Sequence, residues 1–345
     1  MNTAIVFRAL AALSVLLLAG CGSGGSSDAP VVETAVSDQP ATAQVFRSAT
    51  FTVDIARDVV YAQGQSHTDW NAPNPITKDL LLDVYSPMND EIDRPAMMFV
   101  HGGGFTGGSK DTMPPSDFAR YFAERGFVAV AINYRLLGDY GTLPPSFVET
   151  IDAVPGLTDE DRDQSKAMYA ATRDAKAALR WLSANAVEYG SDPNQISVAG
   201  GSAGSFIAIA LGASDFDDYA RELTLDEDPT LATTHLEEDV FVASVVNHWG
   251  GTATTDLLQR VDGSLRWDAA DAPISIVHGT ADLTVSYEQA EALVDIYTNT
   301  GAYFELNTLQ GAGHAAWNAT LNGQTLTEMG FDFITRMLDI EVQEN

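Results

Sequence analysis

Ile196-Ser197-Val198-Ala199-Gly200-Gly201-Ser202-Ala203-Gly204-Ser205-Phe206 is the stretch whose reading decides the fold. A short run of strand character enters a Gly-x-Ser-x-Gly turn, and an apolar helical stretch, Phe206 to Leu211, leaves it. In a strand, turn and helix of this kind a serine hydroxyl is lifted above the end of a sheet. Side chains flanking the serine would collide in so tight a turn, which accounts for Gly200 and Gly204. The helix N-terminus beneath the serine favours negative charge that develops beside it. The five-residue pattern alone is weak; its place between strand and helix makes it specific.

Working outward, short apolar runs bounded by turn residues recur: Ala96 to Val100, Phe127 to Ile132, Val240 to Val246 and Ile274 to Val277. Such runs suit strands buried on both faces. Phe51 to Tyr61, Leu80 to Tyr85 and Tyr303 to Leu309 also read as strands. Helical patterns lie between and after them, at Asp117 to Glu124, Ala167 to Ala186, Val285 to Thr298 and Glu328 to Leu338. The longest places Ala171, Ala175, Ala178, Leu179 and Leu182 on one face. Strand and helix in alternation predict an α/β fold, a mostly parallel, doubly wound sheet with helices on both faces. Ligands bind such sheets at the carboxyl ends of the strands, so the loops there carry the chemistry.

Right after the run Ala96 to Val100 comes His101-Gly102-Gly103-Gly104-Phe105. Acyl transfer needs donors aimed at an oxyanion, and glycines let backbone N–H groups approach it unobstructed. Gly103, Gly104 and Ala203 are the expected oxyanion donors. The loop lacks the Gly-Lys-Ser/Thr ending of a phosphate-binding loop. His101 precedes the serine and reads as a residue that stabilises its loop. A serine needs a base, and on such a sheet the acid and then the histidine follow it in the chain. His314, in Gly311-Ala312-Gly313-His314, is the expected base. Asp282 lies in His278-Gly279-Thr280-Ala281-Asp282, the loop after a strand, and is the expected acid. His278 ends that strand and reads as structural, while Asp271 precedes it, at the wrong end of the sheet.

Taken in order, Leu82 to Pro87, His101 to Phe105, Asn133-Tyr134-Arg135, Asp192 to Ile196, Gly200 to Gly204, His278 to Asp282 and Gly313-His314 form a set more specific than any member. From about Phe51 to Leu338 the chain resembles the carboxylesterases of the α/β-hydrolase superfamily. It is similar to the hormone-sensitive-lipase-like esterases and, more closely, to the bacterial lipase and feruloyl-esterase-like group. The resemblance implies hydrolysis of short-chain acyl or aryl esters through an acyl-enzyme, with Ser202 as nucleophile, and without a cofactor or metal. Gly201 stands where many relatives carry an acidic residue, Ser205 where Gly is common and Leu283 where Pro is frequent. Phe105, Phe206, Trp249 and Trp317 adjoin the predicted catalytic loops and are candidates for the substrate pocket. The Pro-, Gly- and Asp-rich segment Leu137 to Ser165 is expected either to rim the site or to pass as a surface loop.

The N-terminus has its own signature. Arg8 precedes an apolar run from Ala9 to Leu18, too short to span a bilayer comfortably, and Leu18-Ala19-Gly20-Cys21 follows. This resembles a bacterial lipoprotein signal. It implies cleavage after residue 20, lipid on Cys21, and attachment to the cell envelope, with Gly22 pointing to the outer membrane. Cys21 is the single cysteine, so no intrachain disulfide can form. The expected organisation is a signal over 1–20, the lipidated Cys and a flexible tether over 21–45, and one catalytic domain over 46–345. With 48 Asp plus Glu against 18 Lys plus Arg, the net charge of −30 repels phosphate backbones and argues against nucleic-acid binding. Three alternatives to the esterase remain at this stage: a secreted serine peptidase, an acyltransferase on the same fold, and a non-catalytic surface protein. Such peptidases usually carry an additional propeller domain, for which the sequence leaves no room.

Overall fold

Alternation along the central strands builds two cores. In Arg94–Val100 (β3), Ala96, Met98 and Val100 face one side of the sheet and Met97 and Phe99 the other. In Val128–Ile132 (β4), Val128, Val130 and Ile132 join the first side and Ala129 and Ala131 the second. Every residue of both strands is buried, as strands covered on two faces require. The computed structural model describes residues 42–344 except Met113. The signal segment, Cys21 and the tether up to residue 41 lie outside the described residues.

The other strands of the main sheet are Val53–Ser66 (β1), Ile76–Pro87 (β2), Ser191–Gly201 (β5), Ser244–His248 (β6), Ile274–Gly279 (β7) and Phe304–Leu309 (β8). Their spatial order is β1-β2-β4-β3-β5-β6-β7-β8. β1, β2 and β4 pair antiparallel, and from β4 onward every pairing is parallel. This is the α/β-hydrolase arrangement that the sequence predicts. One strand needs correction: Val240 to Val246 reads as a strand, but β6 begins at Ser244, which pairs with Ser197 of β5. Just ahead of it Ala243 N–H still donates to the Ile196 carbonyl (2.8 Å), but the ladder does not extend back to Val240.

Helices Pro115–Ala123 (α1), Pro145–Asp152 (α2), Asp159–Ala184 (α3), Ala186–Tyr189 (α4), Ala203–Gly212 (α5), Ala253–Asp262 (α6), Glu288–Thr300 (α7) and Leu326–Met337 (α8) complete the fold. α3, α5 and α7 cover one face, with Ala171, Ala175, Ala178, Leu179 and Leu182 of α3 all buried there. α1 and α8 cover the other through Phe118, Phe122, Phe331 and Ile334. α3 starts at Asp159, ahead of the apolar pattern, because Thr158 caps it: its Oγ1 accepts from Asp161 N–H while Asp161 accepts from Thr158 N–H.

The segment 137–165 is neither of the expected alternatives. It holds a 3₁₀ turn at Leu137–Asp139, then α2, then the start of α3. Leu143, Phe147 and Ile151 are buried against Tyr169, Tyr219 and Leu231 in a third apolar cluster. Burying side chains of this size contributes about 1.5–3 kcal/mol each, enough to hold the segment as part of the body.

Candidate active site

β5 ends at Gly201, and α5 begins at Ala203, so Ser202 alone makes the turn. Its backbone has φ 53° and ψ −123°, a strained conformation for any residue with a side chain. Three ties hold it there. Ser202 N–H donates to the carbonyl of His248 at the end of β6 (2.9 Å). Ser205 Oγ lies 2.6 Å from the carbonyl of Gly200 and 3.0 Å from that of His248, and accepts from His248 N–H at 2.9 Å. The third is close packing. A Cβ on Gly200 would lie 2.3 Å from Gly204 backbone, and one on Gly204 would lie 2.1 Å from the carbonyl oxygen of Val100. Both glycines are thus demanded by the turn, as the sequence predicts.

The loop after β7 and the loop after β8 bring Asp282 and His314 to this serine. Ser202 Oγ is 2.9 Å from His314 Nε2, and His314 Nδ1 is 2.7 Å from Asp282 Oδ2. With Nδ1–H donated to the carboxylate, Nε2 is left as the acceptor for the serine hydroxyl. Asp282 Oδ1 accepts from Thr284 N–H (2.8 Å) and Val285 N–H (3.0 Å). Burial of Asp282 works to raise its pKa, but the bonds from His314 and the two amides outweigh it and hold the carboxyl below its ordinary range. The line is therefore a charged acid, an oriented imidazole and a hydroxyl.

The glycine loop after β3 faces the same place. Gly103 has φ 120° and Gly104 φ 60°, backbone that favours glycine. Gly102 approaches so closely that a Cβ there would lie 3.4 Å from Ser202 Cβ. The 137–165 segment meets this loop at both ends: Gln164 of α3 donates to the carbonyl of Gly104 (2.9 Å), and Leu137 N–H donates to the carbonyl of Phe105 (2.7 Å). Ala203 opens α5, where the first N–H groups have no partner inside the helix. Gly103, Gly104, Ser202 and His314 line one cavity of about 410 Å³. Trp249 and Trp317 line it too.

Phe105 and Phe206 do not. Phe105 has φ 61°, which turns its ring inward against Tyr134, where it is buried. Phe206 packs on the α3–α5 core. In their stead the cavity takes Pro114 and Pro115 from the start of α1 and Thr284 from the loop after β7. Prolines ahead of a helix gave no sign of facing the site, because their place depends on how the loop after β3 folds back.

Three further histidines near these loops are each held through one ring nitrogen, while His248 Nε2 and His278 Nδ1 are buried without a partner. His101 is stacked on Tyr134 with ring centroids 4.2 Å apart, and its Nδ1 bonds the carbonyl of Gly102. His278 Nε2 donates to the carbonyl of Val285 (2.9 Å), and burial lowers its pKa. His248 is completely buried between Phe118, Trp249 and Trp317. Its Nδ1 donates to the carbonyl of Gly200 (2.9 Å), and burial pushes it down to about 4 against the pull of that bond. Asp271 lies just before β7, at the end of the sheet away from Ser202. Among the described residues no cluster of three His, Cys, Asp or Glu is arranged to hold a metal.

Two family models match the chain. That of the carboxylesterase family covers residues 65–222, which include the glycine loop and Ser202. That of the prolyl oligopeptidase family covers residues 161–341, which include Ser202, Asp282 and His314. The chain belongs to the prolyl oligopeptidase family of α/β-hydrolases, whose model spans more than half of it, and it is similar to the carboxylesterase family over residues 65–222. This α/β-hydrolase is 34% identical over 154 residues to fumonisin B1 esterase of Sphingopyxis macrogoltabida, a match covering 44% of this chain and 26% of that protein. It is 32% identical over 133 residues to para-nitrobenzyl esterase of Bacillus subtilis, covering 38% and 24% respectively. The matches thus span about a quarter of the length of these curated relatives. A solved carbohydrate esterase from gut microbiota shares the fold, with a TM-score of 0.56, 20% identity, and coverage of 85% of this chain and 99% of that one.

Proposed function

We propose that this α/β-hydrolase is a serine carboxylesterase acting on short-chain acyl or aryl esters. The observation that carries the reading is the line from Ser202 Oγ through His314 to Asp282, set beside a glycine loop at a cavity of about 410 Å³. In this reading Ser202 Oγ attacks the ester carbonyl as His314 Nε2 takes its proton. Asp282 fixes the imidazole tautomer and stabilises the imidazolium. The N–H groups of Gly103, Gly104 and Ala203 stabilise the oxyanion. His314 then gives its proton to the leaving alcohol, and water, deprotonated by the same imidazole, releases the acid from the acyl-enzyme. The Ser202 strain holds the hydroxyl in place before substrate arrives, so little reorganisation is left for the reaction itself.

The test is p-nitrophenyl acetate hydrolysis by the protein from residue 22 onward, beside Ser202→Ala. Turnover by the parent and its loss in a folded variant support the reading. A folded parent without turnover on any ester would overturn it. The prolyl oligopeptidase match favours one second reading, a serine peptidase, which cleavage of a prolyl-p-nitroanilide would support instead. We propose further that Cys21 carries lipid and anchors the protein to the cell envelope, on the strength of Leu18-Ala19-Gly20-Cys21. Expressed full length in a Gram-negative host, the protein should enter the detergent phase, and Cys21→Ala should leave it in the aqueous phase.

A further inference from the structure

Gly200 and Gly204 are small because backbone crowds them; Gly201 is small for a different reason. A Cβ at 201 would lie 2.3 Å from Cζ2 and 2.7 Å from Cη2 of Trp317. The indole occupies the space that a side chain at position 201 would use. It is wedged there by Trp249, edge-on with centroids 4.6 Å apart, by His248 at 4.9 Å and by Phe118 at 5.9 Å. Trp317 also lines two spaces at once. One is the cavity over Ser202. The other is a separate hollow of about 320 Å³, walled by Asp117, Phe118, Asn318 and Thr327 as well. Pro114 is the other residue shared by both. Trp317 and Pro114 together form the partition between them.

His314 determines which part of an ester meets this partition. Its Nε2 hands the proton to the leaving oxygen, so the alcohol group lies on the side of His314. From His314 the chain runs through Ala315 to Trp317, and all three line the cavity there. Resting on the esterase reading, we propose that Trp317, seated over Gly201, is the specificity-determining wall that limits the size of the alcohol group, and that the hollow behind it is depth which a smaller residue at 317 opens. The two positions act as one device: a side chain at 201 and an indole at 317 cannot share the space. The site as built takes esters of compact alcohols.

The experiment compares kcat/KM for phenyl acetate and 4-biphenylyl acetate, whose phenols have similar acidity, so the ratio reports fit and is independent of the amount of active protein. Trp317→Ala should raise the biphenylyl-to-phenyl ratio by about tenfold or more, the scale on which pocket volume discriminates. Trp317→Leu, a milder change, should shift it the same way by less, and it carries the test if the alanine variant does not fold. The ratio for phenyl hexanoate over phenyl acetate, which varies the acyl side, should stay as in the parent. Gly201→Ala should change the alcohol ratio in the parent and leave it unchanged in the Trp317→Ala background, because the clash is then gone. An unchanged alcohol ratio in both Trp317 variants would overturn the proposal. So would a shift confined to the acyl ratio, or an equal effect of Gly201→Ala in both backgrounds. A parent that hydrolyses neither acetate, nor p-nitrophenyl acetate, removes the esterase reading and this proposal with it.

Discussion

As the pH falls, one histidine that takes no part in the proposed chemistry should withdraw its contribution to the stability of the fold. His248 is fully buried, and its imidazole is pushed from an ordinary 6.5 down to about 4. The unfolded chain therefore takes up a proton at 248 before the folded one does. Stability from this group is intact above pH 6.5 and is lost as the pH falls through 4. At pH 4 the loss works out at about 3 kcal/mol, a large fraction of the net stability of an ordinary domain. Other groups titrate in the same range. His101 and His278, also lowered by burial, add to the acid loss, whereas Asp271, pushed up to about 7 by burial, and Glu222, raised by burial, oppose it by losing their contributions as the pH rises. All are shared with the variant His248→Gln, whose side-chain amide can still donate to the Gly200 carbonyl. Urea unfolding of parent and variant at pH 7.5, 6, 5 and 4 isolates the contribution of His248. The gap between the two should move by about 3 kcal/mol in the variant's favour from pH 7.5 to pH 4. Parallel profiles would show that His248 is not held neutral, and the account of its pocket would be wrong.

Three further outcomes follow from the geometry. Asp282→Asn should lower kcat on p-nitrophenyl acetate on the order of 10⁴-fold, with the circular dichroism spectrum unchanged, because the imidazole then loses its tautomer and its counter-charge. Gly204→Ala puts a Cβ 2.1 Å from the Val100 carbonyl oxygen, and should cost about 3 kcal/mol in urea unfolding, the upper end for overpacking. Asp174→Ala strands Arg135, which is buried and now donates Nε and Nη2 to that carboxylate at 2.9 and 2.6 Å; a loss of about 3–5 kcal/mol should appear as a lowered denaturation midpoint.

Much of this molecule is legible in its sequence because local signals and global fold agree. The apolar runs at β3, β4 and β7 have no other explanation than a doubly covered sheet, and the glycines around Ser202 follow from turn geometry alone. Asp282 and His314 were readable from their places after strands, and the structure brings both to Ser202. The cavity walls were much less readable. Phe105 and Phe206 adjoin the right loops, but a positive φ and a helix face turn them into the core. Pro114, Pro115 and the seating of Trp317 over Gly201 depend on contacts between segments far apart in the chain, which no local pattern encodes. α2 and α6 escaped notice for a related reason: both are short, and their apolar positions are paired by tertiary packing, as Phe147 and Leu258 are in one cluster.

The aromatic lining beside Ser202 makes the site an optical instrument. Trp249 and Trp317 stand 4.6 Å apart, one fully buried, and both border the cavity, while the other three of the five tryptophans lie elsewhere. Indole emission shifts with the polarity around the ring and is quenched by a nearby imidazolium. An ester that drives water from the cavity, and a proton that reaches His248, would therefore each alter the light from these two rings, in ways that single-tryptophan variants can tell apart. Binding in the Ser202→Ala protein could then be followed without any label and without any turnover.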